Sequence, residues 1–328
     1  MLWQFISRRV LFTVLILFAV SLMSFIIIQL PPGDYLTTYI EGLREGGMQV
    51  DDNMIAALEK RYGLDKPWHQ QYFMWMGNMF QGDFGMSFEW NAPVWDLLME
   101  RLPMTLALSV TTMIFTYLIA VPIGIYSAVH QYSTVDFAAT VFGFIGLAAP
   151  NFLLALILMW LMYTVFGVSV GGLFAQEYLQ EPWSWGKFVD LLKHLPSPII
   201  VIGTAGTAGL IRVMRGCLLD ELRKQYVVTA RAKGVRETKL LIKYPVRVAL
   251  NPIVSSIGWL LPAVVSGETI TSVVLGLPTT GPLLFRALVA QDMFLAGSAV
   301  MLLTFLTVIG ILISDILLVL LDPRIRYE

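Results

Sequence analysis

The stretch RVMRGCLLDELRKQYVVTARAKGVRETKLLIKYPVR, residues 212–247, carries ten of the chain's 22 lysine and arginine residues and only three acids. Apolar tracts flank it on both sides, so the pattern predicts a basic, helical segment between two membrane-spanning helices. Loops rich in lysine and arginine stay on the cytoplasmic side of a membrane. The stretch therefore predicts a large cytoplasmic loop, and its patterned surface indicates a protein partner. Leu218, Leu222, Tyr226 and Ala230 follow one another at a spacing of four, so we expect them to share one helical face that can pack on another protein.

The composition of the whole chain agrees with a membrane protein. Of 328 residues, 57% are hydrophobic and 14% are charged, whereas about a quarter of the residues in soluble domains are charged. The mean hydropathy is +0.71. A single cysteine, Cys217, excludes an internal disulfide. These values predict an all-α polytopic membrane protein.

Long tracts with few charges predict six transmembrane helices. A bilayer core about 30 Å thick needs roughly 20 helical residues. The first tract follows Arg8 and Arg9 and is too long for the core of a signal peptide. The third tract contains Ala-Pro-Asn-Phe at residues 149–152, which we expect to break or bend it. The predicted spans are residues 10–30, 102–135, 137–176, 195–211, 248–277 and 293–321. Residues 177–194 form a predicted external loop, and Gly203, Gly206 and Gly209 form a small-residue stripe in the fourth span that lets helices pack closely.

Charge asymmetry predicts the orientation of these spans. Residues 31–101 carry eleven acids and five bases, and they form a predicted small helical segment outside the membrane between helices 1 and 2. Within it, Pro67 and Gly82 bound a predicted helix over residues 68–80. With six spans, the inner segments hold 14 basic residues and the outer ones 8, which places both termini in the cytoplasm. The predicted domains are residues 1–30, 31–101, 102–322 with the cytoplasmic loop 212–247, and a tail at 323–328.

The sequence contains no recognisable catalytic, cofactor or metal site. It has no G-x-x-x-x-G-K-S/T run for binding ATP through a P-loop of its own. Its three histidines are scattered without metal-ligand spacing. Glu268 and Asp315 are the ionisable residues deepest in the predicted spans, where a carboxylate must face protein or water. Ion conduction or proton-coupled transport through these two carboxylates is one alternative hypothesis, and interhelical hydrogen bonding is the other.

Tyr-Val-Val-Thr-Ala-Arg-Ala-Lys-Gly, residues 226–234, closely resembles the Y-V-x-T-A-R-A-K-G signature of permeases in ABC importers of the oligopeptide/dipeptide/nickel class. The resemblance extends along the whole chain, in order and at suitable spacing. Its other matches are Arg8-Arg9, Pro32-Gly33-Asp34, residues 62–67 (YGLDKP), 81–85 (QGDFG), 101–106 (RLPMTL), 276–281 (GLPTTG) and 321–327 (LDPRIRY).

This resemblance implies the transmembrane subunit of a type I ABC importer in a bacterial or archaeal inner membrane. The subunit is not an enzyme and holds no cofactor, since ATP and magnesium bind to separate ATPase subunits. The implied partners are a second, similar permease, two ATPases, an external solute-binding protein and membrane lipid, with no nucleic acid. The loop corresponds to the family's "EAA" loop, which docks into the ATPase. The implied coupling residues are Tyr226, Thr229, Ala230, Arg231, Ala232, Lys233 and Gly234.

The sequence leaves the substrate open. Members of this class carry peptides, oligosaccharides, opines or nickel complexes, and similar sequences serve all of them. Candidates for the translocation path are polar or aromatic residues in or beside the predicted spans, and each also fits a packing role: Asn151, Trp259, Ser266 and Glu268. A membrane scaffold that only presents the basic loop is the remaining alternative from another functional class.

Overall fold

The computed structural model describes residues 2–29, 60, 66–258 and 269–321. Over these ranges the regular structure is helical, and the one pairing of extended backbone is an isolated bridge between Met86 and Pro93. The predicted all-α class is therefore confirmed. The first five helices are α1 Leu2–Gln29, α2 Trp68–Phe80, α3 Val94–Val129, α4 Thr134–Ala148 and α5 Asn151–Phe166.

The remaining helices surround the basic loop and complete the chain. The loop contains two short helices, and a long apolar helix follows near the C-terminus. Their bounds are α6 Trp185–His194, α7 Pro196–Leu222, α8 Gln225–Ala232, α9 Glu237–Lys243, α10 Pro245–Ser255, α11 Thr269–Val274, α12 Thr280–Val289 and α13 Met293–Leu321.

Three of the described helices, α3, α7 and α13, are long and apolar enough to cross a membrane. The pair α4 and α5 also qualifies as one span, although it bends by 104°. The bend lies at Ala149 and Pro150, as the sequence predicted. Ala149 is extended because the ring of a following proline disfavours helical backbone at the preceding residue.

Three helices differ from the sequence-based expectation. The helix predicted to start at residue 102 begins at Val94, because its first turns are held by the buried side chains of Val94 and Leu98. Helix α6 was expected to be a loop, yet Ser184 caps it and Leu191 packs in the core. Helix α12 was not predicted. The predicted fifth span is interrupted after α10, and residues 259–268 lie outside the described ranges.

Residues 104–278 and 306–321 contribute to one of two compact units. In this unit α3, α7 and α10 share an apolar core around Met214, Leu218 and Ile253. Gly124 allows the approach of α3 to α7, since a Cβ placed there would lie 2.7 Å from the Cβ of Met214. The small-residue stripe predicted in α7 packs closely at Gly203, where an added Cβ would meet Phe115 at 3.0 Å.

The other unit comprises the described residues up to Pro103 together with 279–305. Its key contact is the fully buried carboxylate of Asp292. One oxygen accepts hydrogen bonds from Ser87 Oγ at 2.5 Å and from the amides of Phe88 and Glu89 at 2.9 and 3.3 Å. The other oxygen accepts from the Leu295 amide at 3.1 Å and caps α13. Burial raises the pKa of Asp292, while these four donors oppose the rise.

Replacing Asp292 with alanine should destabilise this unit by about 2 kcal/mol or more, since several buried donors lose their acceptor. Asp292→Asn keeps one acceptor oxygen and should recover part of the loss. Thermal unfolding of the detergent-solubilised protein measures both effects. Asp96→Ala, which removes an exposed acid from the first turn of α3, is the control and should cost below about 1 kcal/mol. Equal shifts of the unfolding temperature for Asp292→Ala and Asp96→Ala would contradict the stabilising role of the Asp292 hydrogen bonds.

Candidate functional site

The basic loop starts where α7 stops at Leu222. Lys224 is extended, with φ −72° and ψ 147°, and α8 begins at the next residue. The sequence had suggested that Leu218, Leu222, Tyr226 and Ala230 share one helical face for docking. That interpretation is wrong, because the break at residues 223–224 separates the two pairs and Leu218 is fully buried in the core shared with α3 and α10.

Gly234 ends α8 and reverses the chain. Its φ is +74°, in the left-handed region that glycine adopts at little cost. The Gly234 amide donates to the carbonyl of Arg231 at 3.0 Å, and the Val235 amide donates to the carbonyl of Ala230 at 3.3 Å. This pair of bonds is a Schellman motif, and it satisfies the last carbonyls of the helix. The glycine thus sets the angle at which α9 follows α8.

Helices α8 and α9 form a small unit with a core of its own. Val227 and Leu240 are fully buried, and Ala230 is nearly so. Val235 and Tyr244 pack against these three side chains. Ala230, assigned to coupling by resemblance, therefore supports the loop from inside and does not form its outer surface.

An ion pair also joins the two helices. Arg231 Nε donates to Glu237 Oε2 at 3.1 Å, and its Nη2 donates to Oε1. The hydrogen bond from Arg231 lowers the pKa of Glu237, and the same bond raises the pKa of Arg231. Both side chains are exposed, and exposed pairs contribute little stability. The pair orients the helices, and Leu240 with its neighbours provides the stability.

The outward side of α8 is a narrow face free of full charges. Gln225, Val228, Thr229 and Ala232 lie three or four residues apart, so they share one side of the helix, and all are exposed. Val228 is half exposed although it is apolar. We call these four residues the α8 outer face. It lies opposite the side chains that build the loop's core. Outside this face, α8, α9 and the residues beside them carry exposed lysines and arginines: Arg223, Lys224, Arg231, Lys233, Arg236, Lys239, Lys243 and Arg247.

Tyr226 borders the α8 outer face. Its hydroxyl donates to Glu221 Oε2 at 2.5 Å. Burial and this hydrogen bond raise the pKa of Tyr226 above its ordinary value. The phenol is therefore protonated at neutral pH, and it ties the start of α8 to the end of α7. This connection across the helix break limits how far α8 can turn relative to α7.

The loop continues into α10 with no intervening linker. Tyr244 is the last residue before α10, and Pro245 is its first residue. Pro245, Val246 and Ala249 are buried, and the last two pack in the core shared with α3 and α7. A displacement of α9 must therefore move the start of α10.

The C-terminal end of α10 is held by hydroxyl groups from three helical segments. Pro252 lies inside α10 and donates no backbone hydrogen bond. The Ile253 carbonyl accepts from Ser256 Oγ at 2.6 Å and from Tyr117 Oη at 3.1 Å. Ser314 Oγ of α13 donates to the carbonyl of Val254 at 3.0 Å. These bonds satisfy carbonyls that the end of a helix leaves open.

A buried ion pair fixes the helices that lead into the loop. Arg215 of α7 donates to both carboxylate oxygens of Asp136 of α4, at 2.7 and 2.9 Å. Asp136 is 3% exposed and also accepts from the amide of Tyr132 at 2.9 Å. This pair was not predicted from the sequence. Asp136 is the single acid between residues 102 and 176, and that isolation was a usable signal.

The structure describes only one of the four residues proposed for the translocation path. Asn151 is half-buried at the start of α5, beside the 104° bend. Trp259, Ser266 and Glu268 lie outside the described residues, so they remain predictions. Asp315 is nearly buried in α13 and lines a cavity of about 360 Å³ with Ser314 and other residues.

Comparison with known proteins agrees with this architecture. The family described as "Binding-protein-dependent transport system inner membrane component" matches residues 120–327, and the family of its N-terminal part matches residues 1–109. The oligopeptide transport system permease protein AppB of Bacillus subtilis is 36% identical, with 98% of this chain and 99% of AppB covered. The di/tripeptide permease DppB of Pseudomonas aeruginosa is 31% identical over 99% of both chains.

The chain belongs to the family of inner-membrane components of binding-protein-dependent transport systems. Within that family it is a permease subunit of an ABC importer, and a subunit of this kind is not itself an enzyme. A chain of the MetNI methionine ABC transporter, solved in inward-facing conformations, aligns with a TM-score of 0.53 and 16% identity. It covers 69% of this chain and 96% of its own length, and it supports the type I permease fold.

Gly234→Ala should loosen the loop without disturbing the spans. An added Cβ meets nothing within 4 Å, so the cost is the left-handed backbone alone, about 1–2 kcal/mol. Hydrogen exchange at the amides of Gly234 and Val235 should become faster.

Gly216→Ala is the matched control, since Gly216 lies in α7 and its added Cβ also meets nothing. That variant should leave exchange in the loop unchanged. If the loop amides are equally protected from hydrogen exchange in Gly234→Ala and Gly216→Ala, the Schellman turn at Gly234 is ruled out.

Arg215→Gln should destabilise the protein by about 3–5 kcal/mol, because it leaves Asp136 buried without its counter-charge. Adding Asp136→Asn to Arg215→Gln removes the uncompensated charge, so the double variant should be more stable than Arg215→Gln alone. Unfolding in detergent by a denaturant series measures the cycle. Arg223→Gln is the control. Arg223 is exposed and lies beyond the buried core, so this substitution should change the free energy of unfolding little. Additive losses in the double variant would show that the two side chains are not coupled.

Proposed function

We propose that this permease subunit imports peptides as part of an ATP-driven transporter. AppB and DppB, with which it shares 36% and 31% identity over nearly the whole of both chains, are named as oligopeptide and di/tripeptide permeases. Similarity along the full length includes the spans in which a substrate path is formed, so it favours a related substrate. Oligosaccharides, opines and nickel complexes are the alternatives that a transport assay separates.

The proposed topology has six spans with both termini in the cytoplasm. The 14 basic residues of the proposed inner segments, against 8 in the outer ones, favour this orientation. Residues 31–101 then form the external segment between helices 1 and 2. Its described part contains α2, whose Tyr72 and Trp75 are buried against Phe25 of α1. In this arrangement the segment lies at the outer membrane surface.

The proposed partners are a second, similar permease, two ATPase subunits, an external solute-binding protein and membrane lipid. ATP and magnesium bind to the ATPases, because the present sequence contains no P-loop motif. The permease supplies half of the translocation path. In that half we place Asn151, Trp259, Ser266 and Glu268.

The α8 outer face is the proposed docking surface for an ATPase. It is exposed and free of full charges, it belongs to a basic loop, and the side chains behind it form a compact core around Val227 and Leu240. Because this core holds α8 against α9, the α8 outer face moves together with both helices. We assign Tyr226, Thr229, Arg231, Ala232 and Lys233 to the contact or its edge, and Ala230 and Gly234 to the shape of the loop.

ATP-driven closure of the ATPases would then displace α8 and α9 as one unit. The single observation that carries this proposal is the direct continuation of α9 through Tyr244 and Pro245 into α10, whose first turns are buried against α3 and α7. Force on the loop is thereby applied to the packed helices. Closure would shift the equilibrium between inward-facing and outward-facing forms, which is alternating access.

Thr229→Trp and Ala232→Trp should each abolish coupling while leaving the loop folded. Overpacking a complementary contact costs about 1–3 kcal/mol, so peptide uptake into cells or proteoliposomes should fall by about tenfold or more. Co-purification of the ATPase should fall in parallel. Ala230→Trp is a poorer probe, because Ala230 is buried and the substitution would unfold the loop itself.

Thr238→Trp is the matched control. Thr238 is exposed in α9 and lies outside the α8 outer face, so this variant should transport normally. Normal uptake by both Thr229→Trp and Ala232→Trp would overturn the docking assignment. Uptake of a sugar, opine or nickel complex in place of peptide would overturn the proposed substrate class and leave the docking assignment intact.

A further inference from the structure

A cavity of about 250 Å³ lies among α3, α4 and α7, away from the α8 outer face. One part of its wall is polar and includes Ser127, Arg212 and Arg215. The other part is apolar and built from small side chains, which leaves the space open: Ala139, Gly143, Ala208 and, at the rim, Ile211 and Phe144. A space with a cationic end and an apolar end suits an amphiphilic ligand that carries an anion.

The two arginines of the cavity differ in their partners. Arg215 is neutralised by its bidentate contact with Asp136. Arg212 is exposed, its guanidinium lies 4.9 Å from the centre of the Phe144 ring, and no carboxylate of the described residues forms a salt bridge with it. Stacking on an aromatic face holds a guanidinium in place without neutralising its charge. Among the residues that the structure describes, the lining of the cavity and its ion pair therefore carry one net positive charge, at Arg212.

The position of the cavity along the helices indicates its depth in the membrane. Arg212 is the first charged residue after the charge-free residues 195–211, and Asp136 is the last charged residue before the charge-free residues 137–176. Both therefore mark the level at which apolar spans meet the polar loops. Phospholipid phosphates occupy this level, and basic pockets between transmembrane helices on the cytoplasmic side bind anionic headgroups.

We propose that this cavity binds the headgroup of an anionic phospholipid. Arg212 would donate to the phosphate, and the start of an acyl chain would lie along Gly143 and Ala208. The volume is below the roughly 300–1,000 Å³ of pockets that enclose a drug-sized ligand, so it admits a headgroup and leaves the chains in the bilayer. Exposed apolar side chains on α4 beside the cavity, Phe137 and Phe142, offer contact to those chains.

The charge of the site favours an anionic headgroup over a zwitterionic one. Arg212 supplies a single uncompensated positive charge, and the basic loop that follows α7 repels a headgroup ammonium. Assignment to the cytoplasmic leaflet rests on the proposed orientation of the spans. The existence of the site depends only on the cavity and Arg212, so a failure of the transport assay leaves this proposal standing.

The test is native mass spectrometry of the purified transporter complex after delipidation and addition of phosphatidylglycerol or phosphatidylcholine with the same acyl chains. The complex should retain phosphatidylglycerol in preference. Arg212→Gln should weaken that retention about tenfold, the scale of one hydrogen bond to a charged group. Gly143→Leu should weaken it by filling the space, since an added Cβ there approaches only Ala208, at 3.9 Å.

Two control variants match these changes. Arg223→Gln removes an equal charge outside the cavity, and Gly209→Leu adds an equal volume on α7, where an added Cβ meets nothing within 4 Å. Both should retain phosphatidylglycerol as the unmodified protein does. If Arg212→Gln and Arg223→Gln lose phosphatidylglycerol equally, the lipid is attracted by the overall basic charge of the protein, and the proposed site is overturned.

Three other results would also overturn the proposal. The first is equal retention of phosphatidylcholine and phosphatidylglycerol. The second is displacement of phosphatidylglycerol by an equal concentration of inorganic phosphate, which would indicate a site for the free anion. The third is loss of the second permease from the Arg212→Gln complex with lipid retention unchanged, which would assign this surface to a protein contact.

Discussion

The bidentate ion pair between Asp136 and Arg215 is the contact on which the basic loop depends. It is formed where two apolar helices, α4 and α7, reach the polar loops, and Asp136 is buried. A buried charge whose partner is removed costs several kcal/mol, so the pair holds α7 in one position relative to α4. The end of α7 then determines where α8 begins. The same pair neutralises Arg215, whereas Arg212, in the neighbouring cavity, forms no salt bridge with any carboxylate in the described part of the chain.

Rigidity and connection are separate properties of the loop. Rigidity comes from the buried side chains of Val227, Ala230 and Leu240 and from the Schellman turn at Gly234. Connection comes from Pro245, which starts α10 directly after the loop and is itself buried. A loop with its own core but a loose linker would move without moving a span. The combination found here joins a compact loop to packed helices with no linker between them.

Three polar side chains in the packed parts of the structure lie where a helix ends or begins. Tyr117 and Ser314 hydrogen-bond carbonyls at the end of α10, and Asp292 accepts four hydrogen bonds beside the start of α13. Backbone groups that cannot reach water must be paired within the protein. Tyr117, Ser314 and Asp292 are thus explained by the ends of helices that they pair.

The sequence alone determined the all-α class, the bend at residues 149–150, helix α2 with its bounds and the permease family. Each of these follows from local signals: apolar length, proline, a cap or a contiguous motif. Tertiary structure decided which residues of the loop are outside. Leu218 and Ala230 are apolar at helical spacing, yet both are buried, because α7 stops at Leu222 and α8 folds onto α9. It also decided that Asp136 and Arg215, 79 positions apart, form a pair. A pattern along the chain gives periodicity, but only the packed helices bring distant charges within hydrogen-bonding distance.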